Sequence, residues 1–122
     1  MASRRMISSE ILFSEEFLQL PTLAAVLYVH LLMRADDDGF MNSPRTMARV
    51  LGATEEDLSL LIEKGYIIPF ENSVVAITHW HIHNHIRKEC YTPTMYPQFL
   101  NRLKLSKDGV YSLLPASGKC GS

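Results

Sequence analysis

Apolar residues fall along this chain in two kinds of run, some at helical spacing and some short and β-rich. From Thr22 to Arg34 they stand at Leu23, Val26, Leu27, Leu31 and Met33, with His30 among them, and steps of three and four predict a helix. It is apolar nearly all round, so it is expected to be the central buried helix. Ahead of it, Ser14 to Leu20 predicts a short helical turn with Ser14 as N-cap, broken at Pro21. Behind it, Asp36-Asp37-Asp38-Gly39 predicts a tight turn with Gly39 at positive φ, and Phe40-Met41 a brief extended segment.

Asn42-Ser43-Pro44 predicts a helix start, with a capping side chain just before a proline at the first helical position. This helix runs to Leu51, turns Met47, Val50 and Leu51 inward, and stops at Gly52. Thr54 caps the next one, whose first turn holds Glu55, Glu56 and Asp57 where a helix favours negative charge. Leu58, Leu61 and Ile62 form its inner stripe, and Lys64-Gly65 closes it. Two short helices joined by Gly52-Ala53 have the form of a helix-turn-helix. The β-rich runs Tyr66–Phe70 and Val74–Thr78 flank Glu71-Asn72-Ser73 and predict a hairpin, with Pro69 at a strand end or edge. The fold class expected is therefore α+β, a winged helix-turn-helix with Phe40-Met41 as third strand. The winged-helix domain is assigned to residues 1–90 and a basic C-terminal extension to 91–122. Trp80, Ile82 and Ile86 suit a helical turn on the core, with Trp80 buried between the central helix and the wing strands. Pro93 and Pro97 break the tail, and Gln98 to Leu105 predicts one more short helix.

Length and composition fit one globular domain: 122 residues, 47% hydrophobic and 20% charged. The net charge of −1 is unevenly spread, because residues 36–75 hold eight carboxylates against three cations and residues 76–122 hold six cations against two carboxylates. Such a division predicts two surfaces with different partners. The run Leu23–Val29 falls well short of the roughly 20 apolar residues of a membrane span. No apolar region and cleavage site follow the basic Met1–Arg5. Cys90 and Cys120 are too few and too far apart for a disulfide framework and are expected as free thiols. A cytoplasmic protein is expected.

His79, His81, His83 and His85 would pair at i, i+4 on a helix, but a closed zinc site needs four ligands and only Cys90 is near. They are expected to be structural or hydrogen-bonding histidines. His83-Asn84-His85 lacks the further ligands of a nuclease site. Asp36-Asp37-Asp38-Gly39 resembles the opening of a calcium loop, yet Met47 stands where the bidentate Glu belongs, so a solvated turn is expected. With no phosphate loop and no nucleophile motif, no catalytic residue, metal site or cofactor is expected. The candidate DNA contacts are cations: Arg4 and Arg5 on an N-terminal arm, Arg45 and Arg49 four apart on one helix, Arg87 and Lys88 after the sheet. Glu55 and Glu56 would oppose phosphates, and with Leu60 they make a candidate protein-interaction face. Leu60, Met6 and Ile7 are apolar residues off the core faces, which predicts self-association.

Several blocks in order carry a resemblance: Arg5-Met6-Ile7-Ser8, Leu27-Tyr28, His30-Leu31, Met33 to Phe40, Leu51-Gly52-Ala53, Leu60 to Gly65, Ile68-Pro69-Phe70-Glu71, Ile77 to Lys88 and Tyr91-Thr92-Pro93-Thr94. Together, over roughly residues 4 to 96, they resemble the N-terminal winged-helix domain of phage and prophage replication initiation proteins, the replisome organisers related to DnaD. The resemblance implies a DNA-associated, oligomerising module that helps start replication and recruits host replication or helicase-loading proteins. It also places His79, His83 and Asn84 in a packed motif around Trp80. Two other functions fit the same pattern: a protein-interaction module or inhibitor acting without DNA, and a phage transcriptional regulator.

Overall fold

The computed structural model describes residues 5–114. Its elements follow one another as α1 (Ser9–Leu12), α2 (Glu15–Leu18), α3 (Thr22–Arg34), β1 (Phe40–Asn42), α4 (Pro44–Leu51) and α5 (Glu55–Glu63). Then come β2 (Ile67–Phe70), β3 (Val74–Ile77), α6 (Trp80–His83), a 3₁₀ turn at Lys88–Cys90, α7 (Pro97–Leu100), β4 (Leu103–Leu105) and β5 (Tyr111–Leu113). The class is mixed α+β: short helices around a three-stranded antiparallel sheet of order β1-β3-β2, with a separate β4-β5 hairpin. No described helix is long and apolar enough to cross a membrane.

Each local signal has a physical origin. Ser14 caps α2 by accepting from the Phe17 N–H, and Thr54 and Asp57 close a reciprocal capping box on α5. Gly52 ends α4 at φ 80°, a conformation that costs glycine little. Between β2 and β3 the chain reverses through Asn72 and Ser73, both at positive φ, as a tight hairpin requires. Pro69 lies on β2, an edge strand, where a missing donor is tolerated. β3 is central, and all four of its residues are buried.

α3 packs one face and not its whole girth. Ala24, Leu27, Tyr28, Leu31 and Leu32 point into the core, whereas His30 is exposed, as are Leu23 (41%) and Met33 (45%). Phe17, Tyr28 and Tyr66 meet edge-to-face with centroids 5.3–5.7 Å apart, a favoured aromatic geometry. Trp80 is fully buried, as expected, and its indole N–H donates to the Asp37 carbonyl at 2.9 Å.

Three expectations need correction. Ser43 takes a left-handed conformation instead of the extended one of a capping residue, and its side chain does not cap α4; its N–H closes a sheet rung on the Ser73 carbonyl at 2.8 Å. Val50 is exposed, not inward: Pro44, Ala48 and Leu51 share the packed face, and Val50 lies round the helix from Ala48. Gln98 to Leu105 is not one helix. α7 ends at Leu100, and Leu103–Leu105 pairs with Tyr111–Leu113 across the Ser106–Gly109 turn. Phe99, Leu103 and Tyr111 join the same core cluster as α3, so packing shows no break at residue 90.

Candidate functional site

The candidate cations separate into distinct environments. Arg45 and Arg49 project from α4 beside the start of α5, in a shallow pocket with Ala48, Ala53, Glu55 and Leu58. Arg45 pairs with Glu55 at 3.4 Å, both side chains well exposed, so the pair is weak and easily exchanged for another partner. Arg49 is exposed and has no ion pair among the described residues. Arg87 and Lys88 are exposed at the 3₁₀ turn. Arg4 lies outside the described residues. Glu56 is exposed at the head of α5. Leu60 is half-buried against the core, so it is no free apolar surface; neither is Ile7, whereas Met6 is 57% exposed.

Arg5 is not on an open arm. Its side chain is 3% exposed and its guanidinium donates to Asp37 Oδ1 (3.0 Å) and to the Ala35 carbonyl (2.7 Å), 5.1 Å from the centroid of the Trp80 ring. A buried guanidinium needs a carboxylate partner, which Asp37 supplies, and the Ala35 carbonyl takes a second donor. Withdrawn in this way, Arg5 cannot contact phosphates.

The aspartate turn is likewise not solvated. Asp37 and Asp38 are buried, and the three carboxylates tie Arg5 and residues 91–94 to the turn. Asp36 Oδ1 accepts from the Asp38 and Phe40 amides, and Asp36 Oδ2 from the Thr94 hydroxyl at 2.6 Å. Asp37 holds Arg5 and the Thr92 amide; Asp38 accepts from the Tyr91 hydroxyl at 2.6 Å and from the Thr94 amide. That bond to Asp38 is the main reason the Tyr91 hydroxyl is pushed up to about 12, with burial adding to it. Tyr111 reaches the same turn, donating to the Asp38 carbonyl at 2.9 Å. Charge in the turn thus serves structure.

Of the four histidines, His81 and His83 are hydrogen-bonded as expected, His79 has a buried Nδ1 with no partner among the described residues, and His85 is exposed. His83 is buried at the C-terminal end of α6; its Nδ1 accepts from the Ser8 amide (2.8 Å) and its Nε2 meets the Tyr28 hydroxyl at 2.7 Å. A backbone N–H can only donate, so Nδ1 is unprotonated and the neutral ring carries its proton on Nε2. Burial, then the neighbouring His79, pulls the His83 ring down to about 4. Asn84 continues the pattern by pairing with both the N–H and the carbonyl of Met6. His81 bonds the Tyr111 hydroxyl at 3.0 Å, and burial lowers its ring as it does that of His79. No group of three or more metal-ligating side chains converges among the described residues.

Sequence reading missed a second cavity wall. A groove of about 720 Å³ runs between α4 and residues 92–96, along β1. The signal was present in Met95, an apolar residue outside every expected element. Compared with known proteins, the chain matches no family model, no curated protein and no solved structure.

Proposed function

We propose that α3, β1, α4, α5, β2 and β3 form a winged helix-turn-helix, and that the chain is a DNA-associated module of a phage-type replication initiator. On this reading it works in the cytoplasm of the bacterial host, with further copies of itself and with host replication or helicase-loading proteins. The winged-helix reading is supported by element order: a helix, an edge strand, two helices joined by Gly52-Ala53, then a hairpin whose second strand lies at the centre of the sheet. The observation that carries the DNA reading is the exposed pair Arg45 and Arg49 on α4; Arg87 and Lys88 are exposed as well, at the 3₁₀ turn. The start of α5 presents Glu55 and Glu56, which would repel phosphates, so α4 faces the duplex and α5 does not enter the groove. That acidic turn also argues against a transcriptional regulator, which would want a basic recognition helix.

A titration of binding to a duplex oligonucleotide at several salt concentrations tests the proposal. Four phosphate contacts give a log–log salt slope of about −3.6, and Arg45→Glu with Arg49→Glu flattens it by roughly 2 while weakening all sequences alike. Glu55→Gln releases Arg45 and tightens binding slightly. A second reading, a module or inhibitor that binds a host protein without DNA, is favoured by the Arg45–Glu55 pair, which neutralises one of the cations. Absence of salt-dependent duplex binding selects it.

A further inference from the structure

We infer that the groove beside β1 is a docking site for an extended peptide segment of a partner protein, apolar at alternate positions and carrying one carboxylate for Arg34. β1 is an edge strand. The Gly39 carbonyl and the Ser43 amide bond toward β3 (2.9 and 2.8 Å), so the backbone groups of Phe40 and Asn42 face the other way. Those of Phe40 are occupied, its carbonyl by the Asp36 amide (2.8 Å) and its N–H by Asp36 Oδ1 (3.0 Å). Among the described residues nothing pairs with the N–H or carbonyl of Asn42. One open rung therefore looks into the groove, and an added strand can take it.

The walls supply the rest. Met41 and Met47 lie on the β1 and α4 side with Val50, which is 77% exposed, and Met95, 85% exposed, stands across from them. Methionine adapts its shape to varied apolar partners, which suits a site for side chains of differing form. Charge selects the segment. Asp36 and Asp37 line the groove too: Arg5 offsets the charge of Asp37, while Asp36, hydrogen-bonded to the Thr94 hydroxyl and local amides, keeps its charge. Arg34, exposed in the same lining, has no ion pair or side-chain hydrogen bond among the described residues, and it is the charge left over for a ligand carboxylate. A groove of about 720 Å³ lies in the size range of sites for small ligands, so a few residues fill it and a whole helix does not.

Panning a displayed random heptapeptide library on the intact protein tests this. Enriched sequences are expected to alternate apolar residues and to carry Asp or Glu, with binding of the synthetic peptides shifting the Asn42 amide resonance. Arg34→Glu and Val50→Glu, both at exposed positions, should each weaken binding about tenfold or more, and N-methylation at one peptide position should do the same by removing the rung. Arg45→Glu with Arg49→Glu should leave peptide binding unchanged, which separates this site from the DNA reading. No enrichment, enrichment of basic peptides, or indifference to Arg34→Glu overturns the inference. So does a Val50→Glu protein that loses only a self-associated form, because the groove is then an interface between copies.

Discussion

The guanidinium of Arg5 shares a buried space with the Trp80 ring and the Asp37 carboxylate, and Gly39 lies against the same ring. At φ +89° Gly39 already occupies a region unfavourable to L-residues, and an added Cβ would stand 2.6 Å from Trp80 Cγ. Gly39→Ala therefore combines backbone strain with overpacking and should cost about 2–4 kcal/mol, read as a lowered urea midpoint at unchanged m-value. His83 sets a pH dependence at the same scale. Its folded ring protonates only near 4, the unfolded ring near 6.5, so stability is whole above about pH 6.5 and declines as pH falls toward 4. The neutral ring alone accounts for about 3 kcal/mol across that window, and His79 and His81, also held low by burial, act in the same direction. In His83→Gln, proton uptake on unfolding near pH 5 should fall by about one. Sequence showed that Trp80 was an anchor and that Gly39 needed positive φ. It did not show that Arg5 and the aspartates were buried, because side chains of that charge are ordinarily solvated and their pairing spans residues 5 to 94.

Among the elements, α5 illustrates how far local chemistry reads through. Thr54 was legible as a cap, and Asp57 completes the box by accepting the Thr54 N–H at 2.9 Å. Thr54→Ala removes the side-chain acceptor for the Asp57 amide and should lower stability by about 1 kcal/mol in thermal or urea unfolding, with binding properties intact. The β1, β2 and β3 strands and the junction at Gly52 were also readable, since turns and caps are written in a few neighbouring residues. β4 was misread as helix, and β5 was given no element. Leu103-Lys104-Leu105 and Tyr111-Ser112-Leu113 alternate with period two about Ser106-Lys107-Asp108-Gly109, which is a strand signal. Gln98-Phe99-Leu100 just before it carried a helical pattern too far. The α4 face was misjudged for another reason: packing against α3 chose Ala48 over Val50, and hydropathy alone ranks them the other way.

At the scale of the whole molecule, the segment after residue 90 belongs to the body. Phe99 stacks on Phe70 at 4.9 Å, and Arg102 lies over both rings while pairing with Glu71 at 2.8 Å. Tyr111 is buried and reaches the aspartate turn. A chain ending at residue 90 would expose those aromatic surfaces and leave buried carboxylate oxygens without donors. It should lose cooperative unfolding and near-ultraviolet circular dichroism, while a chain ending at residue 114 should keep both. The candidate cations on α4 would then be presented by a frame that is no longer rigid.

Synthesis on the ribosome gives the aspartate turn a further meaning. Asp38 leaves the exit tunnel long before Tyr91, Thr94 and Tyr111, its partners 53, 56 and 73 residues later. At about 5–20 residues per second that gap lasts several seconds. For that interval the nascent chain can form α3, α4 and α5 but holds a cluster of carboxylates answered only by Arg5 and the local amides of Asp38 and Phe40. Mutual repulsion among them keeps the turn hydrated and the half-made core open, and arrival of residues 91–111 locks the fold late. A ribosome stalled before residue 91 should therefore carry a protease-sensitive chain, and one stalled beyond the exit of residue 114 a resistant one.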